Sequence, residues 1–253
     1  MSDNVDSTPE ATHADPDGVR SWEEFRSSGL FVDRPVLLDL YCGAGGSAVG
    51  YHQAGFDVIG VDRRPQPRYP FTFVQADALV WLGGLGDATL SLFAAIHASP
   101  PCQAYSRSTR AFRNAGKVYP DLIGPTRDLL IRTGLPWVIE NVPGAPMRPD
   151  LVLCGCMFEL PGLIRRRWFE FSWRPFELRP PCHHPDMTVT VIGHGPGPNQ
   201  HRARRIPGAE FLALKQRAMG IDWMNRDELG EAVPPAYTTH IGALLLAVVK
   251  AVA

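Results

Sequence analysis

The sequence has 253 residues, of which 45% are hydrophobic and 20% charged, and its formal net charge is −1. This composition excludes wholesale disorder and suits one globular domain, and no run approaches the roughly 18–20 apolar residues that a membrane span needs. Five cysteines accompany an acidic N-terminus that has neither the basic start nor the apolar stretch of a secretion signal, so we expect reduced thiols, no membrane partner and a cytoplasmic protein.

Five apolar segments predict strands in the first two thirds of the chain. Residues 1–34 are predicted to form an acidic tail and one short helix, and later helices are predicted at 47–55 and 125–134, each closed by a glycine. Nearly continuous apolar strands that alternate with helices are typical of a parallel sheet covered on both faces. We therefore predict an α/β fold with a doubly wound, mostly parallel sheet over 35–171, with strands at 36–41, 56–62, 71–77, 92–101 and 136–142.

The last third of the chain differs in composition. Residues 172–208 are rich in Pro, Gly, His and Arg, which predicts a small irregular module, and residues 209–253 predict helices that return to the sheet. Charge is also uneven: residues 161–217 carry ten basic and four acidic side chains, whereas residues 1–33 carry two basic and eight acidic ones. The basic region could bind a polyanion, and the alternative is a solvated basic surface.

The turn after the first predicted strand is rich in glycine. In an open parallel sheet, ligands bind at the carboxyl ends of the strands, and the first strand–helix turn is the usual cofactor contact. Asp62 ends the second strand, 19 residues after Gly43, where an acid can accept hydrogen bonds from ribose hydroxyls. The turn predicts a site for an adenosine-containing cofactor, with nicotinamide dinucleotide and S-adenosylmethionine both fitting it; a purely structural turn is the alternative.

A cysteine follows two prolines at the end of the fourth predicted strand. The prolines stiffen the turn and fix where the side chain of Cys102 points, at the ligand end of the sheet. An ordinary thiol has a pKa of about 8.5, so a nucleophilic cysteine needs nearby positive charge, and an inert buried thiol is the alternative. The basic residues just downstream that could supply this charge are Arg107, Arg110, Arg113 and Lys117.

An acid leaves the fifth predicted strand at the same edge. Glu140 should point into the crevice beside Cys102, and partial burial would raise its pKa, which suits a proton donor near neutral pH. The alternative is an ordinary carboxylate at the end of a strand.

Taken in chain order, these segments resemble the motifs of the cytosine-C5 DNA methyltransferase family. The turn from Asp39 to Gly46 is similar to the family's D-L-F-C-G-x-G-G, with Tyr41 in place of Phe, and Pro100-Pro101-Cys102-Gln103 is similar to its catalytic P-P-C-Q. The remaining matches are Asp62 to the ribose-binding acid, Asp77-Ala78-Leu79 to the acid near the adenine, Glu140-Asn141-Val142 to E-N-V, Arg165-Arg166-Arg167 to Q-x-R-x-R and Ala232-Val233-Pro234-Pro235 to G-N-A-V-P-P.

Two positions depart from the family pattern. Leu163 stands where the family has Gln, so only the arginines of that motif carry over, and Glu231 stands where Asn is usual. The interval that holds the target-reading domain in the family is short here, which implies a short recognition sequence or help from a partner.

The resemblance implies a Rossmann-like, S-adenosylmethionine-dependent methyltransferase that acts on double-stranded DNA, as a monomer, in a prokaryotic or phage-infected cell. Restriction-modification, regulation and protection of a viral genome are all roles that it leaves open. The implied catalytic residues are Cys102, Glu140, Arg165 and Arg167. The implied cofactor-binding residues are Asp39, Tyr41, Cys42, Gly43, Gly45, Gly46, Asp62, Asp77, Ala78 and Pro100. The expected DNA-binding residues are Gln103, Arg107, Arg110, Arg202, Arg204 and Arg205.

Several alternatives stay open. The same chemistry could act on RNA, as in a eukaryotic branch of the family. The glycine turn alone would also suit a nicotinamide oxidoreductase, and a third alternative is a catalytically inactive DNA-binding module. The groups Cys154-Gly155-Cys156 and Cys182-His183-His184 could hold zinc. Because C-x-C with C-H is not a strong ligand spacing and Cys154 lies in an apolar run, we interpret them as packing or loop structure and assign no metal.

Overall fold

The computed structural model describes residues 34–160, 162–175, 181–184, 189, 191 and 208–252. Over those ranges the chain builds a seven-stranded sheet in the order β3-β2-β1-β4-β5-β7-β6. The strands are β1 Val36–Leu40, β2 Asp57–Asp62, β3 Thr72–Gln75, β4 Ala95–Ala98, β5 Trp137–Asn141, β6 Leu151–Leu153 and β7 Arg167–Phe171.

The first five strands are parallel, and β7 pairs antiparallel with both β5 and β6. Strand order reverses beside β1, which has β2 on one side and β4 on the other. The loops that leave β1 and β4 therefore diverge at a topological switch point, where open α/β sheets bind ligands. This topology confirms the predicted α/β fold with a mostly parallel sheet.

Successive residues of the central strands point to opposite faces and fill two separate cores. Leu37 packs with Tyr51 and Phe56 on one face, whereas Leu38 packs with Ile59 and Ile139 on the other. All of these side chains are completely buried. A sheet covered on both faces explains why its strands are apolar at nearly every position.

Helices cover the sheet and continue into the C-terminal part of the chain. They are α1 Gly46–Ala54, α2 Ala78–Gly83, α3 Asp87–Leu90, α4 Arg110–Asn114, α5 Ile123–Thr133, α6 Gly208–Met219, α7 Arg226–Glu231 and α8 Pro235–Val252, with 3-10 turns at Arg107–Thr109 and Gly155–Phe158.

The predicted C-terminal ends of two helices are confirmed, and each of these helices ends at a glycine. Gly55 and Gly134 both adopt the left-handed conformation that closes α1 and α5. The final helix begins at Pro235, because a proline is well suited to the first turn of a helix.

The C-terminal helix α8 packs tightly across α1. Thr238 donates its hydroxyl hydrogen to the Ser47 carbonyl oxygen at 2.9 Å. A Cβ added to Gly50 would lie 2.1 Å from the Thr238 Oγ1 atom, and one added to Gly242 would lie 2.5 Å from the Ala54 Cβ atom. Glycine at these two positions therefore lets the helices approach closely.

Two strands were not expected from the sequence. β6 is only three residues long, and β7 carries the buried Glu170, whose carboxylate receives two hydrogen bonds from Arg127 at 2.7 and 2.8 Å. Phe169 and Phe171 of β7 are completely buried, so these rings belong to the core.

Other expectations remain predictions. The acidic tail with its short helix and most of the module at 172–208 lie outside the described residues, so the domain boundaries are not tested. Among the described residues, no helix is both long enough and apolar enough to cross a bilayer.

Candidate active site

The glycine turn after β1 is held in an unusual backbone conformation. Tyr41, Gly43 and Gly45 all have positive φ angles, of 58°, 50° and 85°. The Gly43 N–H donates to the Asp62 carboxylate at 3.1 Å, which ties the turn to the end of β2. A Cβ added to Gly43 would meet nothing within 4 Å, so one side of the turn is open.

A carboxylate lies buried beneath this turn without a partner. Asp39 is completely buried, and within the described part of the chain neither of its carboxylate oxygens has a hydrogen-bond partner. Burial first, then the carboxylates of Asp62 and Glu140, raise the pKa of Asp39 well above its usual value. A buried polar group without a partner is costly, so this carboxylate fits a ligand that brings hydrogen-bond donors or positive charge.

Other residues that we expected to bind the cofactor lie in the turn or close to it. Asp77 follows β3 and caps α2 by accepting from the Leu79 and Val80 N–H groups, with Ala78 buried beside it. The Tyr41 hydroxyl lies 2.9 Å from the Thr126 hydroxyl on α5. Cys42 is buried, and its pKa is raised well above the usual value, chiefly by burial, so its thiol is protonated.

Cys102 lies at the carboxyl end of β4, as its position after the prolines predicts. Asn141, at the end of β5, donates its side-chain amide to the Pro100 carbonyl at 2.8 Å. The Cys102 carbonyl accepts the N–H groups of Tyr105 and Ser106 at 3.0 and 2.8 Å. The backbone on both sides of Cys102 is thus fixed, and its half-buried side chain is presented at the sheet edge.

The charges that act on Cys102 come from the neighbouring strands. Burial raises its pKa, Arg167 and Arg165 lower it, and Glu140 raises it. The downstream arginines expected to supply positive potential are turned elsewhere or exposed: Arg113 donates to the Gln103 and Ser106 carbonyls at 2.9 and 2.8 Å. These contacts of Arg113 hold the loop in place, whereas the arginines that lower the pKa of the Cys102 thiol are Arg167 and Arg165.

Glu140 is buried and ion-paired beside Cys102. Its Oε1 atom lies 2.7 Å from the Arg167 Nε atom. Burial raises the pKa of Glu140, and Arg167, a Ser99 hydrogen bond and Arg165 oppose that rise. The carboxyl group therefore holds a proton at higher pH than an exposed glutamate does, which confirms the expected direction.

A chain of polar side chains behind Glu140 was missed at the sequence level. His97 is completely buried in β4, and its two ring nitrogens lie 3.0 Å from the Tyr51 hydroxyl and 2.9 Å from the Ser99 hydroxyl. Burial lowers the pKa of His97 to about 3, so the ring is neutral. A lone histidine within the apolar AAIHA strand was the signal that could have revealed this chain.

Arg165 is engaged by backbone carbonyls. Its guanidinium donates to the carbonyl oxygens of Ala232, Gly230 and Val191. Burial lowers the pKa of Arg165 to about 9. Its own carbonyl accepts from the Tyr237 hydroxyl at 2.6 Å, so Arg165 joins the edge of the sheet to the start of α8.

The loop after Cys102 carries the described part of the expected nucleic-acid surface. Gln103 is half-buried, whereas Arg107 and Arg110 are exposed. Phe112 and Val118 on the same loop are also exposed. Arg202, Arg204 and Arg205 lie outside the described residues.

Comparisons with known proteins identify the architecture. The sequence matches no protein-family model and no curated protein sequence. A protein described as a DNA modification methyltransferase, encoded within a prophage of E. coli, matches with a TM-score of 0.52 and 15% identity over 85% of this chain and 99% of that one.

Two eukaryotic structures match equally well. The DNMT2 protein of Spodoptera frugiperda has a TM-score of 0.51 and 14% identity, over 84% of this chain and 99% of that one. The methyltransferase EhMeth of Entamoeba histolytica has a TM-score of 0.53 and 13% identity, over 86% of this chain and 99% of that one. This chain therefore has the Rossmann-like methyltransferase fold, with Cys102, Glu140 and the glycine turn gathered at one edge of its sheet.

Proposed function

We propose that this protein is an S-adenosylmethionine-dependent DNA methyltransferase that modifies carbon 5 of cytosine. The observation that carries the proposal is the meeting of Cys102 with the Glu140–Arg167 ion pair at the switch point, next to a glycine turn with a buried free carboxylate. A nicotinamide oxidoreductase would need the turn but gives no role to the other residues.

The residues around Cys102 suit covalent catalysis. Carbon 5 of cytosine is a poor nucleophile, and addition of a thiolate at carbon 6 makes it enamine-like. Cys102 forms the S–C6 bond, and after the methyl group is in place a base removes the C5 proton and the S–C6 bond breaks. The fixed Pro100–Ser106 backbone holds the sulfur in position for both steps.

Glu140 suits the role of proton donor at N3 of the ring. Burial raises the pKa of Glu140 above its ordinary value, which favours the protonated carboxyl group, and protonation of N3 favours attack at carbon 6. Arg167, ion-paired to Glu140, is placed to contact the base as well. A similar contact from Arg165 remains a prediction, since its guanidinium is engaged by carbonyl groups.

The cofactor is proposed to bind at the glycine turn. Asp62 is placed at the end of β2 to bind the ribose, the open side of Gly43 leaves room for the ligand, and Asp39 offers a carboxylate to its positive charge. When bound, S-adenosylmethionine supplies an electrophilic methyl group.

The target base must leave the helix to reach Cys102. A stacked base is inaccessible to a thiol at a sheet edge, so the base is flipped out at a cost of a few kcal/mol. The loop of residues 105–119, with exposed Arg107 and Arg110 next to Phe112, is placed to close over it.

Replacement of Cys102 tests the mechanism. In a host that lacks 5-methylcytosine, we expect the wild type to place this base in DNA at a defined sequence, and Cys102→Ser to reduce it by several orders of magnitude because the thiolate is lost. Genome-wide sequencing of 5-methylcytosine makes the measurement, and calorimetry with S-adenosylmethionine checks that the variant still binds its cofactor.

A covalent trap gives an independent result. DNA with 5-fluorocytosine at the target should remain bonded to the wild type, because fluorine cannot leave as a proton does, and unmodified DNA is the control. Full activity in Cys102→Ala would exclude the mechanism. If 5-methylcytosine appeared in cellular RNA and not in DNA, the proposed chemistry would stand, but the substrate would be RNA instead of DNA.

A further inference from the structure

Four potential metal ligands from two distant segments meet beside the sheet. Cys154 follows β6, Cys156 lies in the 3-10 turn next to it, and Cys182 and His184 come from the segment at 181–184. Their four ligand atoms all lie within 4.8 Å of one another. Packing or loop structure was predicted for these residues instead, because C-x-C with C-H is not a strong ligand spacing.

The distances within this group are close to those of a tetrahedral site. The Cys156 and Cys182 sulfurs are 3.1 Å apart, and the His184 Nε2 atom lies 3.0 Å from Cys182 and 3.7 Å from Cys154. Tetrahedral zinc, with Zn–S of about 2.3 Å and Zn–N of about 2.0–2.1 Å, places sulfurs about 3.8 Å apart and sulfur and nitrogen about 3.6 Å apart. The Cys154–His184 separation already fits, whereas the two contacts of Cys182 are about 0.6–0.7 Å shorter than the tetrahedral values, so small movements of the Cys182 side chain would seat the ion.

The geometry points to a structural zinc site made by Cys154, Cys156, Cys182 and His184. Three thiolates and one imidazole form a closed set of four protein ligands, which is the pattern of zinc sites that stabilise a fold. His183 lies between two of these ligands in sequence but is not part of the group.

A disulfide explains the group less well. The Cys156–Cys182 sulfur separation of 3.1 Å exceeds the bond length of about 2.0 Å, and such a bond would leave Cys154 and His184 without a role. A metal ion uses all four side chains at once.

The zinc site would fasten the segment at 181–184 to the sheet. Cys154 is buried directly after β6, whereas Cys182 and His184 are partly or largely exposed. The ion would therefore hold one point of the region 172–208 to a rigid support. The inference does not depend on the reaction that the protein catalyses.

Metal content tests the site directly. The full chain is expressed with added zinc, purified without chelators and analysed by mass spectrometry for zinc and other metals. We expect stoichiometric zinc in the wild type, loss of most of it in Cys182→Ser and His184→Ala, and full retention in the matched control His183→Ala. Uptake of Co²⁺ by chelator-treated protein should give the visible absorption of a tetrahedral thiolate site.

The wild type alone decides the question if the variants fail to fold. Wild-type protein without stoichiometric zinc, a different metal in the site, or equal zinc in the wild type and both variants would overturn the inference. So would an intact, unreduced mass that shows a Cys156–Cys182 disulfide in the purified protein.

Discussion

Activation of Cys102 depends on the charges that surround it. Burial and the Glu140 carboxylate raise the pKa of the thiol, whereas Arg167 and Arg165 lower it. When a target base accepts a hydrogen bond from protonated Glu140, the carboxyl group carries no negative charge. The pKa of Cys102 is then lowered by the two arginines without a nearby carboxylate that raises it. The thiolate would then form when the target base is in place. In the free protein the sulfur would remain a protonated, less reactive thiol.

Asp62 is the residue whose replacement best tests the cofactor site. Its two carboxylate oxygens accept from the Gly43 and Arg64 N–H groups at 3.1 and 2.9 Å. We expect Asp62→Ala to weaken binding of S-adenosylmethionine by about 1–3 kcal/mol, because both the ribose contact and the support of the turn are lost. Calorimetry gives the dissociation constant.

Asp57→Ala is the matched control for this substitution. Asp57 begins the same strand at its other end, where it pairs with Arg34 at 3.7 Å, so its loss should leave cofactor binding unchanged. Equal affinities in Asp62→Ala and the wild type would remove Asp62 from the site, and tight binding of NAD alone would favour the oxidoreductase.

Between elements, Arg165 acts as a clamp. Its guanidinium binds carbonyl groups at 191, 230 and 232, up to 67 residues away in sequence, and so joins the segment that leads into α8 to the segment that leads into β7. We expect Arg165→Ala to lower the free energy of unfolding by about 2–4 kcal/mol, since several buried carbonyls lose their donor. Urea denaturation gives this value.

Its neighbour Arg166 provides the comparison. Arg166 is exposed, so Arg166→Ala should change stability by no more than about 0.5 kcal/mol. If Arg165→Ala were as stable as Arg166→Ala, Arg165 would be free to serve the substrate instead.

How far the elements could be predicted depends on their environment. The first five strands were found because both of their faces are apolar, and the meeting of Cys102 with Glu140 follows from parallel strands that end at one edge. β7 was missed because its buried Glu170 interrupts the apolar pattern and is neutralised by Arg127, a partner 43 residues away. Pairings of this kind depend on the tertiary fold and leave no local pattern in the sequence.

At the scale of the whole molecule, the uneven distribution of charge along the sequence indicates that nucleic acid binds near the basic region 161–217. We predict that residues 172–208 read the target and that the recognition sequence spans about two to four base pairs, because few side chains can reach base edges from so short a segment and each good contact discriminates by only about 1–3 kcal/mol. Arg202, Arg204 and Arg205 are the leading candidates for DNA contact.

Methylome sequencing of the Arg202→Ala, Arg204→Ala and Arg205→Ala variants separates the roles of the three arginines. A variant that loses a phosphate contact should weaken methylation at all sites alike and flatten the salt dependence of binding, whereas one that loses a base contact should relax a single position. A wild-type site of six or more specified pairs, or three variants with unchanged site and affinity, would place the reader elsewhere.

The packing of α8 on α1 also has a consequence during synthesis of the chain. Thr238 supports the Ser47 carbonyl from 191 residues downstream, and Val233 lies against Gly46. A ribosome that adds about 5–20 residues per second needs roughly 10–40 s to cover that interval. For that time the nascent protein has a glycine turn without the support of α8, so ligand binding should develop only after residue 238 has been synthesised.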